Sequence, residues 1–245
     1  MASSPPLAYA FDLGGSGRCY EDFLRRNHLQ PVSTCDSELQ PLMLLASEFS
    51  QEGGELSLPD TAKAFVELAE AEDAFDLSHD VFSRLNGNSF FFSFGTPSAY
   101  FSPVASFISR QIQRRVSWCD EKIFFRLETA LHEAVANAVV HGNLDIASAD
   151  YDGDNILEDR PNLVAKALAN RDRAVRRVSV FAIWDKLEMR ISVSDQGKGV
   201  ERGEFAPTQW NEAPLCGMGL NLMAKAASAI SWEDGGRTVV LCFSR

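Results

Sequence analysis

The sequence predicts an α+β fold, a mixed sheet backed by helices that follows a smaller N-terminal region. Ile123 to His141 repeats apolar side chains at helical spacing over a long run, stopped by Gly142-Asn143. Val178–Trp184 and Leu187–Ser194 read as strands on either side of Asp185-Lys186, a hairpin. Ser228–Trp232 and Arg237–Phe243 form a second hairpin across Glu233-Asp234-Gly235-Gly236.

The chain has 245 residues, enough for one substantial domain and a smaller region. With 45% hydrophobic and 23% charged residues it belongs to the ordinary globular class and has the apolar side chains for a real core. A formal charge of −11 is the wrong sign for coating phosphate backbones, so nucleic acid is not expected as a partner. No apolar run approaches the roughly 20 residues that span a bilayer, and Met1–Tyr9 lacks a secretory signal; a cytoplasmic protein without membrane partners is expected. The five cysteines, Cys19, Cys35, Cys119, Cys216 and Cys242, are scattered and never spaced as CxxC. Reduced, buried thiols are expected, with neither disulfides nor zinc.

Along the N-terminal region, Leu7–Leu13 reads as a strand and Cys19–His28 as a helix, an alternation that suits a small α/β unit of receiver-like kind. From Asp36 to Asp80 the chain carries twelve Asp or Glu against one Lys. Helices are expected at Glu38–Ser50 and Asp60–Ala74, separated by the breaker Gln51-Glu52-Gly53-Gly54. The acidic bias fits a solvated surface first and a partner-docking surface second. Residues 1–87 are therefore read as an acidic regulatory or partner-docking region and 88–245 as the main domain. In that domain Phe90–Phe94 is a short aromatic strand, and Ser102-Pro103 opens a helix that runs to about Val116. Asn143–Ala174 is polar, turns helical around Leu163–Asn170, and leads into the basic cluster Arg171, Arg173, Arg176 and Arg177. Val200–Cys216 is loop-like and Gly219–Ala227 helical.

Three motifs carry chemistry. On the long helix, His132-Glu133 begins like the HExxH zinc motif, but Ala136 stands where the second His must be. His141 lies nine residues from His132, about 180° around the helix, so the metalloprotease reading fails. Glu133, Asn137 and His141 follow an i, i+4, i+8 spacing and line one polar stripe, beside an apolar face of Leu127, Leu131, Ala134, Val135 and Ala138. A carboxylate and a carboxamide one turn apart suit base chemistry beside a hard cation. Many exposed helices show the same spacing.

The second motif, Asp195-Gln196-Gly197-Lys198-Gly199, follows a strand in which Leu187, Met189, Ile191 and Val193 alternate onto one face. Asp195 continues that alternation towards the interior. A buried carboxylate needs donors, and an adenine amino group is one. Gly197 and Gly199 permit a tight turn and close backbone approach. Asp-Gly turns are common in any fold. The third motif, Gly217-Met218-Gly219-Leu220, sits where a loop enters a helix and exposes backbone N–H groups to a phosphate; an ordinary glycine-rich helix entry looks the same. No GxxxxGK[ST] occurs, so a Walker-type loop is excluded. Asp12-Leu13-Gly14-Gly15-Ser16-Gly17 resembles the phosphate loop of the actin and sugar-kinase fold; that fold needs two large domains, and the segment is read as a turn after a strand.

Helix, strand-turn and glycine loop, in this order, resemble the GHKL (Bergerat) ATPase pattern shared by gyrase, histidine kinases and anti-sigma-factor serine kinases. Glu133 to Gly142 resembles the N box, Asp195-x-Gly197-x-Gly199 the G1 box and Gly217-Met218-Gly219-Leu220 the G2 box. The resemblance covers roughly Phe90 to Arg245 and implies a two-layer α/β sandwich that binds ATP and Mg²⁺. It implies Glu133 as general base, Asn137 as Mg²⁺ ligand, and Asn137, His141, Asp195, Gly197, Gly199, Gly217, Met218, Gly219, Leu220 and Thr238 as ATP-binding residues. Asp195 and Thr238 would hold the adenine end and the G2 residues the phosphates.

Within the superfamily the chain resembles anti-sigma-factor serine/threonine kinases. The loop between Gly199 and Gly217 is short, His28 and His79 do not lie on a helix pair of histidine-kinase type, and the chain ends at its last strand without a gyrase-like transducer. The long Asn143–Ala174 segment departs from the compact kinases and resembles ATPase domains of regulators built around phosphatase and receiver modules. The implied function is Mg-ATP-dependent serine/threonine phosphorylation in a bacterial partner-switching pathway. The implied partner is an anti-sigma-factor antagonist, a sigma factor or a response regulator, and a homodimer is common among such kinases. Two alternatives stand beside it. One is a nucleotide-binding module that sequesters a sigma factor or response regulator without kinase activity. The other is a degenerate histidine-kinase-like phosphotransfer protein, against which the intact G1 and G2 boxes count.

Overall fold

A computed structural model describes residues 8–13, 17–33, 42–46, 58–59, 61–68, 79–85, 87–147, 156–199 and 218–245. The chain divides into two compact units, Met1–Phe94 and Gly95–Arg245. The fold is α+β, with parallel strands in the first unit and antiparallel strands in the second.

The first unit contains strands β1 (Ala8–Asp12), β2 (Leu29–Pro31), β3 (Leu42–Ala46), β4 (Ala62–Glu67) and β5 (Ser89–Gly95), with helices α1 (Gly17–Arg26) and α2 (His79–Arg84). Its strand order is β2-β1-β3-β4-β5 and every neighbouring pair is parallel, the order of flavodoxin-like doubly wound sheets. The expected strand at Leu7–Leu13 and helix at Cys19–His28 correspond to β1 and α1.

The helices expected over Glu38–Ser50 and Asp60–Ala74 are corrected. Their apolar cores are β3 and β4, paired from Leu42↔Ala62 to Ala46↔Glu67. Met43, Leu44, Leu45, Phe65 and Val66 are all fully buried, because an interior parallel strand is covered on both faces. Such a run shows no period of two, and periodicity alone does not separate it from a buried helix. The breaker Gln51–Gly54 lies outside the described residues, as do residues 14–16 of the Asp12–Gly17 turn. On β5, Phe90, Phe92 and Phe94 share one face, the first pair stacked at 4.4 Å, and Phe91 is buried on the other. Expected to open the main domain at residue 88, this strand belongs to the first unit instead.

The second unit opens with α3 (Thr96–Phe101), which sequence patterning missed, and α4 (Val104–Arg115). Asp120 caps α5 (Glu121–Asn137), its carboxylate accepting from Ile123 N–H at 2.8 Å. The chain then widens into a π-helical turn, Ala138–Asn143. Gly142-Asn143, the expected stop, are the last two residues of this helical backbone, which Leu144 caps. Next come α6 (Ile156–Leu168), α7 (Arg171–Ala174), β6 (Arg177–Trp184), β7 (Glu188–Ser194), α8 (Met218–Ala226), β8 (Ala229–Glu233) and β9 (Thr238–Ser244). The antiparallel order is β6-β7-β9-β8, and both expected hairpins form.

Helix α5 packs on β7 and β9, with α4 and α8 beside it, so helices cover one side of this sheet. Its expected apolar face, Leu127, Leu131, Ala134, Val135 and Ala138, is buried throughout. Met189, Ile191 and Val193 meet Phe243, Leu241 and Val239 across the β7–β9 ladder. Leu187 departs from the expected alternation. It is 70% exposed, because β7 begins one residue later and the hairpin turn holds its backbone. There Asp185 Oδ1 accepts from the N–H groups of Leu187 and Glu188 at 2.7 and 2.8 Å.

Candidate functional site

Two of the three motifs meet at Gly219. It lies in the first turn of α8, against the polar stripe of α5. A Cβ on Gly219 would fall 2.5 Å from Glu133 Oε2 and 3.9 Å from Asn137 Nδ2, so any side chain there must displace the Glu133 carboxylate from its present position. The pair is also tied by Arg126, whose Nε donates to the Ala226 carbonyl at 2.7 Å. Glu133 and Asn137 are half-buried.

The remaining motif closes on the end of the same helix. Gly142 in the π-turn faces Asp195, and a Cβ there would lie 2.6 Å from each carboxylate oxygen. A Cβ on Gly197 would lie 2.9 Å from Gly142 Cα. Within the turn, Asp195 Oδ1 accepts from Gly197 N–H at 2.8 Å, and Asp195 N–H donates to the Arg237 carbonyl at 2.9 Å. Burial pushes the Asp195 carboxyl up to about 6, against the opposing pull of the Gly197 N–H and the Arg237 and Arg176 guanidinium groups. Gly199 has φ 78° and packs on Gly235 of the β8–β9 turn. Thr238, buried at the start of β9, shares a 2.8 Å hydrogen bond with the hydroxyl of Ser194, the residue before Asp195.

His141 departs from the expected stripe. The wider π-turn breaks the i, i+4, i+8 register after Asn137, and the imidazole is exposed. Its Nδ1 lies 2.7 Å from the Ile146 carbonyl, which only accepts, so Nδ1 carries a hydrogen and Nε2 is the outward nitrogen. Leu220 is half-buried on α8, and Met218 opens that helix. Gly217 lies outside the described residues, as does the whole segment 200–217.

Sequence reasoning missed Asn143, Thr96, Arg176 and Gln196. Asn143 is fully buried, accepts from Gln196 N–H through Oδ1 at 2.8 Å, and donates through Nδ2 to Thr96 Oγ1 at 2.9 Å. The only sign in the sequence was an Asn after a Gly, which reads as a helix end. The basic cluster stitches the same segment. Arg176 donates to the Asn143 carbonyl and Arg173 to the Leu144 carbonyl, each at 2.7 Å. Asp145, at φ 54°, pairs with Lys198 at 2.7 Å and with Arg173 at 3.7 Å. The hydrogen bond from Lys198 is the main reason its carboxyl lies below the usual range, with Arg173 and Arg176 adding to the effect against desolvation.

Among the described residues no group of three or more His, Cys, Asp or Glu is placed to hold a metal. The Asn137 carboxamide oxygen is of the kind that can ligate a hard cation. Among the described residues no helix is long and apolar enough to cross a membrane. Cys119 is a buried free thiol, pushed up to about 11 by burial and by Asp120, and Cys242 is a half-buried one. No protein-family model and no curated protein matches the chain.

Proposed function

We propose that residues 95–245 form a Mg-ATP site of the GHKL (Bergerat) type, and that the chain is a serine/threonine protein kinase of anti-sigma-factor kind in a bacterial partner-switching pathway. The observation that carries this reading is the seating of Gly219 against Glu133 and Asn137. It brings the first turn of α8, whose N–H groups have no partner within the helix, beside a carboxylate and a carboxamide one turn apart on α5. The Asp195–Gly142 contact adds a desolvated acid at the far end of the same helix.

In this reading Asp195 accepts from the adenine amino group, and Thr238 supports that end through Ser194. The α8 N–H groups receive the phosphates, with Met218, Gly219 and Leu220 in that turn. Asn137 ligates Mg²⁺, which when bound offsets the negative charge of the phosphates. Glu133 accepts the hydroxyl proton of the partner's serine or threonine as that oxygen bonds to the γ-phosphorus and ADP departs. The partner is a cytoplasmic protein, either an anti-sigma-factor antagonist, a sigma factor or a response regulator.

The test incubates wild type, Glu133→Ala and Asn137→Ala with labelled ATP, Mg²⁺ and a candidate partner, and measures ATP binding in parallel. Glu133→Ala should bind ATP yet lose about 10²- to 10⁴-fold in transfer, the usual contribution of a general base. Asn137→Ala should lose both. A wild type that binds its partner and labels nothing on it excludes the kinase and leaves a nucleotide-binding module.

A further inference from the structure

We propose that Asn143 is a positioning residue for the adenine site, acting through the backbone on either side of Asp195. The proposal rests on the ATP reading above and names the residue that orients its base-reading acid.

Asn143 stands in a closed ring of hydrogen bonds. Its Oδ1 accepts from Gln196 N–H, and its Nδ2 donates to Thr96 Oγ1. That hydroxyl donates to the Arg176 carbonyl at 2.6 Å, which also accepts from Thr96 N–H at 2.9 Å. The next residue, Arg177, donates its N–H to Gln196 Oε1 at 2.7 Å, closing the ring. The start of α3, the end of the π-turn, the start of β6 and the Asp195–Gly199 turn are thereby held by one buried side chain.

Position and chemistry both converge on Asp195. Asn143 follows Gly142, on which the Asp195 carboxylate packs, and Asn143 grips Gln196, which follows Asp195. The peptide that aims the carboxylate is therefore pinned at Asp195 N–H by the Arg237 carbonyl, just ahead of β9, and at Gln196 N–H by Asn143. Only a carboxamide of this length serves. One end must accept from an N–H while the other donates to a hydroxyl whose own hydrogen is committed to Arg176. With Asn143 at 0% exposure, loss of the side chain opens a cavity beneath the turn and removes the acceptor that fixes Gln196 N–H, and the turn relaxes to find another.

The readout is discrimination between ATP and ITP. They carry the same phosphates, but ITP has a carbonyl where adenine has the amino group that Asp195 reads. Dissociation constants for both are measured on wild type, Asn143→Ala, Asp195→Ala and the double variant. The expected result is that Asn143→Ala lowers the ATP-over-ITP preference by about tenfold, the loss of one well-aimed hydrogen bond. Adding it to Asp195→Ala should lower the preference no further, since both act on one contact. Equal weakening of ATP and ITP, with a lower Tm, marks a purely structural role and overturns the proposal. If Asn143→Ala does not fold, Thr96→Val carries the same comparison by removing the acceptor of Nδ2; an unchanged preference there overturns it too. A wild type without preference for ATP overturns the ATP reading itself, which separates the two failures.

Discussion

Gly142 and Asp195 lie so close that a single methyl group on the glycine would sit 2.6 Å from both carboxylate oxygens. Asp195 must therefore turn if Gly142 gains a side chain. Gly142→Ala is expected to lose ATP affinity by tenfold or more. Its stability should fall by about 1–3 kcal/mol, the usual result of overpacking. Calorimetric titration and denaturant unfolding check the two parts; unchanged affinity would show that the carboxylate does not face the base.

Removing the acid while leaving the glycine tests the same contact from the other side. Asp195→Ala is expected to weaken ATP by about 1.5–3 kcal/mol, roughly ten- to 150-fold. ADP should suffer equally, because the contact is to the base. A loss confined to ATP would place Asp195 near the γ-phosphate and remove the assignment.

The raised Asp195 carboxyl gives a pH dependence with a definite sign. Its folded value of about 6 exceeds the ordinary value of 3.8, so the folded state holds its proton more tightly than the unfolded chain. The contribution to stability is fully present below pH 3.8 and is lost as the pH rises through about 6. Wild type should therefore gain on Asp195→Asn in unfolding free energy as the pH is lowered across that window. Nucleotide binding runs the other way, since the protonated acid is the weaker acceptor. ATP affinity measured relative to ITP, so that phosphate protonation cancels, should decline as the pH falls through 6.

Gly219 offers a separation of stability from activity. A methyl group there meets the far end of the Glu133 side chain, which can swing aside at little cost. Alanine also favours helix by about 1 kcal/mol over glycine. Gly219→Ala is therefore expected to keep or raise Tm while lowering phosphate transfer through a displaced Glu133. A variant with full transfer activity would show that the carboxylate position seen here is not the one used.

Local rules in the sequence determined much of the second unit. The amphipathic run from Ile123 specified α5, alternation specified β7, and Gly197 and Gly199 signalled a backbone that approaches closely. Each is a short-range pattern, legible because one face of the element meets water and the other the core. Only tertiary structure decided the rest. Leu42–Ala46 and Ala62–Glu67 are strands paired on both edges and buried on both faces, which erases the alternation that would have announced them. His141 left the Glu133–Asn137 stripe because the helix widens after Asn137, a change of register that heptad and turn counting do not contain. Asn143 looked like a helix stop until its partners arrived from Thr96 and Gln196, about fifty residues away on either side. A buried amide takes its role from the donors and acceptors folding brings to it, and those belong to other segments of the chain.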